Sequence, residues 1–200
     1  MPTLLLPGMD GTGDLLGSFG RCLPFEIAPE SFSGPLGVMI AARYPPRVVA
    51  LVLVAGFVSD PTRVAARLAA ALAPALILPP PAWIIRRTLL GSDAPPREVA
   101  SARAAIRRVK PSVLSRRLKE VATVDASALL ARTTLPLLYV RASGDRLVTA
   151  REARRVAALR PDATVRIIDA PHSVLQSRPQ AAAALIGEFL RRHLCTATTS

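Results

Sequence analysis

The chain has 200 residues, half of them apolar, and a formal net charge of +12 at pH 7. This length and composition predict one globular domain, or one domain with a large insertion, and exclude a disordered or collagen-like chain. No apolar run reaches the roughly 18–20 residues that a membrane-spanning helix needs, so we expect no transmembrane segment.

The positive charge is a weak argument for nucleic-acid binding. Arginine supplies nearly all of it, because Lys110 and Lys119 are the only lysines. Aromatic residues make up 4% of the chain and leave few platforms for base stacking, and no zinc-finger or helix-turn-helix pattern occurs. We therefore expect no nucleic-acid partner. A basic surface that binds anionic lipid or nucleic acid is kept only as a third hypothesis.

Cysteine usage and the first residues indicate the compartment. Cys22 and Cys195 form no disulfide framework, and neither has metal-ligand spacing to a histidine. The segment from Met1 to Leu4 lacks the basic region of a secretory signal peptide. These features predict a cytoplasmic protein with reduced thiols.

Strands and helices are predicted to alternate along most of the chain. The predicted strands are Thr3 to Leu6, Phe25 to Ala28, Val48 to Val54, Leu135 to Arg141 and Thr164 to Ile168. The predicted helices between and after them are Asp14 to Phe19, Pro35 to Tyr44, Thr149 to Leu159 and Ser177 to Leu194, with Thr149 and Ser177 as caps. This order predicts an α/β fold, with a mostly parallel sheet and helices on both faces.

The middle of the chain differs in composition and pattern, because its prolines are clustered and no strand pattern occurs. We predict residues 59–133 to be a helical cap, inserted into a core formed by residues 1–58 and 134–195, with residues 196–200 as a disordered tail. Its predicted helices are Pro61 to Leu78, Ala82 to Leu90, Arg97 to Val109 and Pro111 to Ala122. Ordinary packing of their apolar faces onto the core is favoured over a lid that lines an acyl pocket or touches lipid.

The segment Pro29-Glu30-Ser31-Phe32-Ser33-Gly34 joins a predicted strand to a predicted helix. A serine on an abrupt strand-to-helix turn is typical of a nucleophile elbow, which lifts the hydroxyl above the carboxyl edge of a sheet. Ser31 is therefore the candidate nucleophile.

A serine nucleophile needs a base, and the base needs an orienting acid. His172 and Asp145 each follow a predicted strand, as Ser31 does, so we expect all three at one sheet edge. The other histidine, His193, lies in the last turn of the final helix. Asp169, on the loop of His172, is the competing acid, and Asp125 is a more distant one.

These motifs together resemble the α/β-hydrolase superfamily, and more narrowly its bacterial serine esterase-like members. The resemblance lies in the segments Leu5 to Gly13, Glu30 to Leu36, Ser143 to Val148 and Asp169 to His172. It implies Ser31 as nucleophile, His172 as general base and Asp145 as orienting acid. It also implies an oxyanion hole formed by the backbone amides of Met9 and Phe32.

The chain departs from the family pattern in two places. Pro29 and Ser33 stand where the elbow pattern has glycine, two residues either side of the serine. Glu30 lies only 22 positions after Gly8, an interval in which family members fit a further strand and helix. We therefore expect a truncated α/β-hydrolase fold, and self-association through the sheet edge that the missing strand exposes.

The first functional hypothesis is a carboxylic-ester hydrolase that acts on a small-molecule ester with an apolar acyl or alkyl group. The mechanism implies no metal or organic cofactor. The alternative is a catalytically inactive α/β-hydrolase-like protein or binding module. Acyl transfer, lyase and haloperoxidase chemistry share the same triad and stay open.

Overall fold

The computed structural model describes residues 5–6, 28–29, 31–43, 48–61 and 80–194 of the chain. Several predicted features lie outside these residues, namely the loop with Met9, two helices (Asp14 to Phe19 and Pro61 to Leu78), both cysteines and the tail at 196–200. The predicted exposed edge depends on residues 7–27 and also lies outside them.

The described strands and helices follow the predicted order. The strands are β1 (Leu5–Leu6), β2 (Ala28–Pro29), β3 (Leu51–Val54), β4 (Leu137–Ala142) and β5 (Thr164–Ile168). The helices are α1 (Gly34–Arg43), α2 (Ala82–Ile85), α3 (Pro96–Arg108), α4 (Pro111–Thr123), α5 (Ser127–Arg132), α6 (Ala150–Leu159), α7 (Val174–Ser177) and α8 (Pro179–Leu194). A 3₁₀ turn at Ser31–Ser33 precedes α1, and α2 continues as a π-helical turn at Arg86–Leu90.

The strand pairs among the described residues are parallel. β1 pairs with β2, and β4 lies between β3 and β5. β2 lies against β3, so the two pieces of sheet are neighbours. Parallel strands bring their carboxyl ends to one edge, where open α/β sheets bind their ligands. The predicted α/β class with a parallel sheet is confirmed.

Both faces of the sheet carry apolar side chains that helices cover. On one face β3 and β4 pack against α7 and α8, through a cluster that includes Val52, Val54, Leu138, Val140, Leu175, Ile186 and Phe189. On the other face they pack against α1, α5 and α6, through Leu51, Leu53, Leu137, Tyr139, Val38, Leu130 and Val156. Successive strand residues point to opposite faces of the sheet. A strand that is apolar at every position therefore needs helices packed on both faces.

The described part of the predicted cap contains a small apolar cluster. Side chains from α2, the π-helical turn and α3 form it, among them Ile85, Leu90, Val99 and Ala102. A second cluster joins α4 to the sheet edge through Val121, Ala122, Phe57 and Val148. Ser59 pairs with Asp125 in an isolated antiparallel bridge, so the chain leaves the core and returns to it at the same place.

Element boundaries differ from the sequence predictions in several places. β5 has the predicted bounds, whereas β3 begins at Leu51 rather than Val48. The final helix α8 begins at Pro179 rather than at Ser177, and the sequence pattern predicts neither α7 nor α5. Thr149 occupies the N-cap position of α6 without a capping side-chain hydrogen bond, and the hydroxyl of Ser177 donates to the carbonyl of Ser173 instead of capping α8.

Within residues 31–43 and 80–194, where the described helices lie, no helix is both long and apolar enough to span a membrane.

Glu152 on α6 is a buried carboxyl that contacts the loop after β3. Its Oε1 accepts a hydrogen bond from the amide of Val58 at 2.8 Å. Glu152 is only 4% exposed. Burial raises the pKa of Glu152, and the amide of Val58 and the guanidinium groups of Arg155 and Arg151 oppose the rise. A raised pKa means that the folded chain binds more protons than the unfolded chain between the two pKa values.

We predict that Glu152→Gln removes a pH-dependent cost to stability. The free energy of unfolding of the wild type should fall as pH rises from the ordinary glutamate range through the raised pKa. Glutamine keeps an oxygen acceptor for the amide of Val58 and has no charge to desolvate. The melting temperature of the variant should therefore increase relative to that of the wild type as the pH rises from about 4 through the raised pKa. An unchanged difference between the two would contradict this.

We predict that Gly34→Ala destabilises the fold by about 1–3 kcal/mol. A Cβ at Gly34 would lie 2.6 Å from the carbonyl oxygen of Phe57, so the two backbones would have to separate. Gly187→Ala in α8 is the matched control, because its Cβ would meet only the mobile end of Arg191, at 3.4 Å. Urea unfolding should show a loss for the first variant and none for the second, and equal stabilities would refute the steric argument.

Candidate active site

Ser31 lies on a sharp turn between β2 and α1. Its φ of 51° is in the left-handed region, which a residue with a side chain rarely adopts. Such backbone strain persists only where the surrounding structure holds it, and it is the geometry of a nucleophile elbow. Pro29, the last residue of β2, pairs with Leu6 in parallel register, so it does not prevent a strand there.

The backbone of α1 approaches the turn after β3 closely at Gly34. Ser33 before it is buried, and the missing Cβ of Gly34 leaves room for the backbone of Phe57. The glycine at the first position of α1 therefore lets the helix start directly above the turn that follows β3.

Asp145 lies on the loop after β4, and its carboxylate is held at both oxygens. Oδ1 accepts hydrogen bonds from the amides of Leu147 and Val148, each at 2.8 Å. Oδ2 lies 2.7 Å from Nδ1 of His172, and the side chain of Asp145 is 2% exposed. The turn geometry that a lone aspartate adopts with its own backbone thus also aims its second oxygen at the imidazole.

His172 follows β5 and lies between Asp145 and Ser31. Its Nε2 is 2.7 Å from Oγ of Ser31, while Nδ1 contacts Asp145. The residue is 5% exposed, so these hydrogen bonds form largely out of water. The structure thus brings Ser31, His172 and Asp145 into one continuous series of hydrogen bonds, the arrangement that activates a serine by general-base catalysis.

The competing residues have other partners. The carboxylate of Asp169 accepts a hydrogen bond from the hydroxyl of Ser143 at 2.6 Å. Hydrogen bonds from Ser127 lower the pKa of Asp125, whose carboxylate also lies 3.8 Å from Arg155. The ring of His193 stacks at a tilt on Phe189, with 4.6 Å between the ring centroids.

Backbone hydrogen bonds tie the loops of Asp145 and His172 together. The amide of Ser143 donates to the carbonyl of Ile168 at 2.9 Å, and the amide of Gly144 donates to that of Ala170 at 3.0 Å. These contacts extend the β4–β5 pairing past the strand ends, so the acid and the base lie on two loops that form one rigid edge.

The cap also contacts the loop of His172. The carbonyl of Leu89, in the π-helical turn, accepts a hydrogen bond from the amide of Ser173 at 2.9 Å. Gly91 packs beside the ring of Pro171 and has a φ of 87°, which favours glycine. The sequence analysis did not predict that residues 89–91 contact the loop of His172. The only local feature that could have indicated it is the glycine after the apolar pair at 89–90.

Of the two predicted oxyanion donors, Phe32 lies within the described residues and Met9 does not. Phe32 is the second residue of the 3₁₀ turn, directly after Ser31, and its side chain packs against the cluster of Phe57, Val121 and Val148. Among the described residues, no group of three or more His, Cys, Asp or Glu side chains is placed to hold a metal ion.

Comparison with solved structures shows the same fold in several enzymes. A thermophilic esterase from Thermogutta terrifontis is similar with a TM-score of 0.70 and 20% identity, over 96% of this chain and 75% of that chain. A carboxylesterase structure from Nitrososphaera gargenis gives a TM-score of 0.71 and 16% identity, over 95% and 74%. The enol-lactonase from Burkholderia xenovorans LB400 gives 0.67 and 21%, over 92% and 73%.

Comparison at the level of sequence identifies the family. No curated protein matches the chain. A family model described as the alpha/beta hydrolase family matches residues 31–185, which include Ser31, Asp145 and His172. Because this match spans well over half of the 200 residues, the chain belongs to the alpha/beta hydrolase family.

Proposed function

We propose that the chain is a serine hydrolase that cleaves carboxylic esters through an acyl-enzyme, with Ser31 as the nucleophile. The observation that carries the proposal is the series of hydrogen bonds from Oγ of Ser31 through His172 to Asp145, each 2.7 Å long. A serine hydroxyl at its ordinary reactivity is a poor nucleophile, and a base at this distance can take its proton as the oxygen attacks.

The chemistry proceeds in two halves. Oγ of Ser31 attacks the ester carbon while Nε2 of His172 takes the hydroxyl proton. The tetrahedral intermediate collapses, the C–O bond to the alcohol breaks, and His172 returns the proton to the leaving oxygen. Water then attacks the acyl-enzyme with His172 again as base, which releases the carboxylic acid and restores Ser31.

Asp145 and two backbone amides support these steps. The carboxylate of Asp145 accepts from Nδ1–H of His172, so Nε2 is left free to accept the serine proton. The amide of Phe32 is the proposed donor to the oxyanion, with the amide of Met9 as the second. Neither donor needs a side chain of a particular chemistry, since the backbone supplies the N–H.

The substrate class rests on two further observations. Three similar structures are described as an esterase, a carboxylesterase and an enol-lactonase, and we carry the ester class from them. The side chain next to the nucleophile, Phe32, belongs to an apolar cluster with Val121 of the cap and Val148. An ester with an apolar acyl or alkyl group suits such surroundings.

The alternative function, a catalytically inactive family member, is favoured by the short interval from Gly8 to Glu30. Pro29 departs from the elbow pattern as well, although it pairs in β2. Labelling of the serine distinguishes the two.

We predict that a fluorophosphonate probe labels the chain once, at Ser31. Ser31→Ala should abolish the labelling and lower kcat/KM for p-nitrophenyl butyrate by about 10⁴-fold or more, because its hydroxyl is the one that contacts Nε2 among the described residues. Ser177→Ala is the control, since its hydroxyl donates to the local backbone carbonyl of Ser173. A folded chain that never labels would establish the inactive alternative.

We predict that Asp145→Asn and Asp169→Asn separate the orienting acid from its competitor. The first change should lower kcat by about 10³–10⁴-fold, because an amide nitrogen facing Nδ1 imposes the wrong tautomer on His172. The second should lower it by less than about 3-fold, because Asp169 bonds to Ser143 and not to the imidazole. Steady-state kinetics with melting temperatures as a folding control measure both. A larger loss in Asp169→Asn would reverse the assignment.

A further inference from the structure

The turn that follows β3 lies directly against the turn that carries Ser31. A Cβ at Gly34 would lie 2.6 Å from the carbonyl oxygen of Phe57, and one at Gly56 would lie 3.7 Å from the carbonyl oxygen of Ser31. The nearest atoms to these positions are backbone atoms of Phe57 and Ser31, so no flexible side chain separates the two turns. A displacement of the segment Ala55–Val58 would therefore be passed directly to Ser31.

Groups on neighbouring elements hold the segment Ala55–Val58. Ala55 has a φ of 44°, so it is, like Ser31, a non-glycine residue in the left-handed region. Strained backbone of this kind persists when surrounding groups determine it. The amide of Ala55 donates to the carbonyl of Val140 at 2.8 Å, which ties the start of the segment to β4.

Tyr139 ties the middle of the segment. Its phenol hydroxyl donates to the carbonyl of Gly56 at 2.8 Å, from a residue only 1% exposed. Burial, with the nearby charges of Glu152 and Asp145, raises the pKa of Tyr139, so the group remains a phenol donor over the working range. A phenylalanine would fill the same space and leave this buried carbonyl without its donor.

Glu152 ties the end of the segment from a different element. Its Oε1 accepts from the amide of Val58 at 2.8 Å, and the amide of Ser59 also interacts with the carboxyl. Tyr139 belongs to β4 and Glu152 to α6, so the strand and the helix that flank the Asp145 loop both hold this segment.

We propose that Tyr139 and Glu152 are positioning residues for the nucleophile, which hold the segment Ala55–Val58 as the platform on which the Ser31 turn rests. The inference rests on the proposed function for its kinetic consequence. Neither side chain is placed in the series of hydrogen bonds from Ser31 to Asp145. Their effect reaches Oγ of Ser31 through the backbone, and a small displacement of a nucleophile is costly to a reaction that needs near-attack geometry.

The experiment compares Tyr139→Phe, Glu152→Leu and Glu152→Gln in the full chain. For the first two, the second-order rate constant of fluorophosphonate labelling should fall about 10-fold, while the labelling endpoint stays at one per chain. With p-nitrophenyl butyrate, kcat should fall by the same factor and KM should not change, because neither side chain binds substrate. Glu152→Gln should restore the wild-type rate, since its amide oxygen can still accept from Val58.

Val156→Ala is the matched control for lost stability. Val156 is fully buried on α6, one turn from Glu152, and lies in the same apolar cluster as Tyr139. It should lower the melting temperature and leave the labelling rate within about 2-fold of the wild type. Wild-type rates in Tyr139→Phe and Glu152→Leu, or an equal loss in Val156→Ala, would overturn the proposal.

Hydrogen exchange tests the positioning role of Tyr139 and Glu152 independently of the proposed hydrolase function. Amide exchange in the Ser31–Ser33 turn should rise in Tyr139→Phe and Glu152→Leu relative to Val156→Ala, whether or not the chain is an active hydrolase. A wild type that never labels would overturn the hydrolase, and a rise in exchange would still support the platform. Unchanged exchange in the turn would overturn the platform, whatever the labelling shows.

Discussion

The backbone of the Ser31 turn rests on the backbone of the turn after β3, and the geometry of the sheet edge depends on this contact. Both turns contain a non-glycine residue in the left-handed region, Ser31 and Ala55. Each conformation costs free energy by itself, of order 1–3 kcal/mol. The contact is possible because Gly34 has no side chain, since a Cβ there would lie 2.6 Å from the carbonyl oxygen of Phe57. The strained conformation of Ser31 is thus maintained by contact with the segment Ala55–Val58, to which Tyr139 and Glu152 bond.

The remaining parts of the site depend on a second set of backbone contacts. The loops of Asp145 and His172 continue the pairing of β4 with β5, so the distance between acid and base follows from the sheet register. The cap contributes as well, because the π-helical turn accepts a hydrogen bond from Ser173, directly after His172. The cap therefore contacts the site on two sides, through Leu89 at the base and through Val121 near the nucleophile. Through the hydrogen bond from Ser173 to Leu89, a displacement of this helical region would also displace the loop that carries His172.

Much of this arrangement could be predicted from local pattern. The alternation of apolar runs and helical spacing predicted the parallel α/β order, and β5 has the predicted bounds because Thr164–Ile168 is a short β-branched run between turn residues. The candidate residues Ser31, Asp145 and His172 were found from their places after strands. Asp145 was preferred to Asp169 as the acid, but both follow strands, and the sequence does not say towards which face a loop carboxylate points. The helix α5 was missed because six residues carry too little periodicity.

The sequence by itself determined the class of fold, the order of the elements and the short set of residues from which a nucleophile, a base and an acid could come. These are consequences of hydrophobic periodicity and of residue chemistry, which are local properties. Only the tertiary structure decided which aspartate contacts His172, that the backbone of Phe57 lies close to Gly34, and that Tyr139 and Glu152 bond to the turn after β3. The reason is physical: each of these contacts joins segments far apart in the chain, such as Tyr139 to Gly56, and nothing local distinguishes such a tyrosine from one that fills the core.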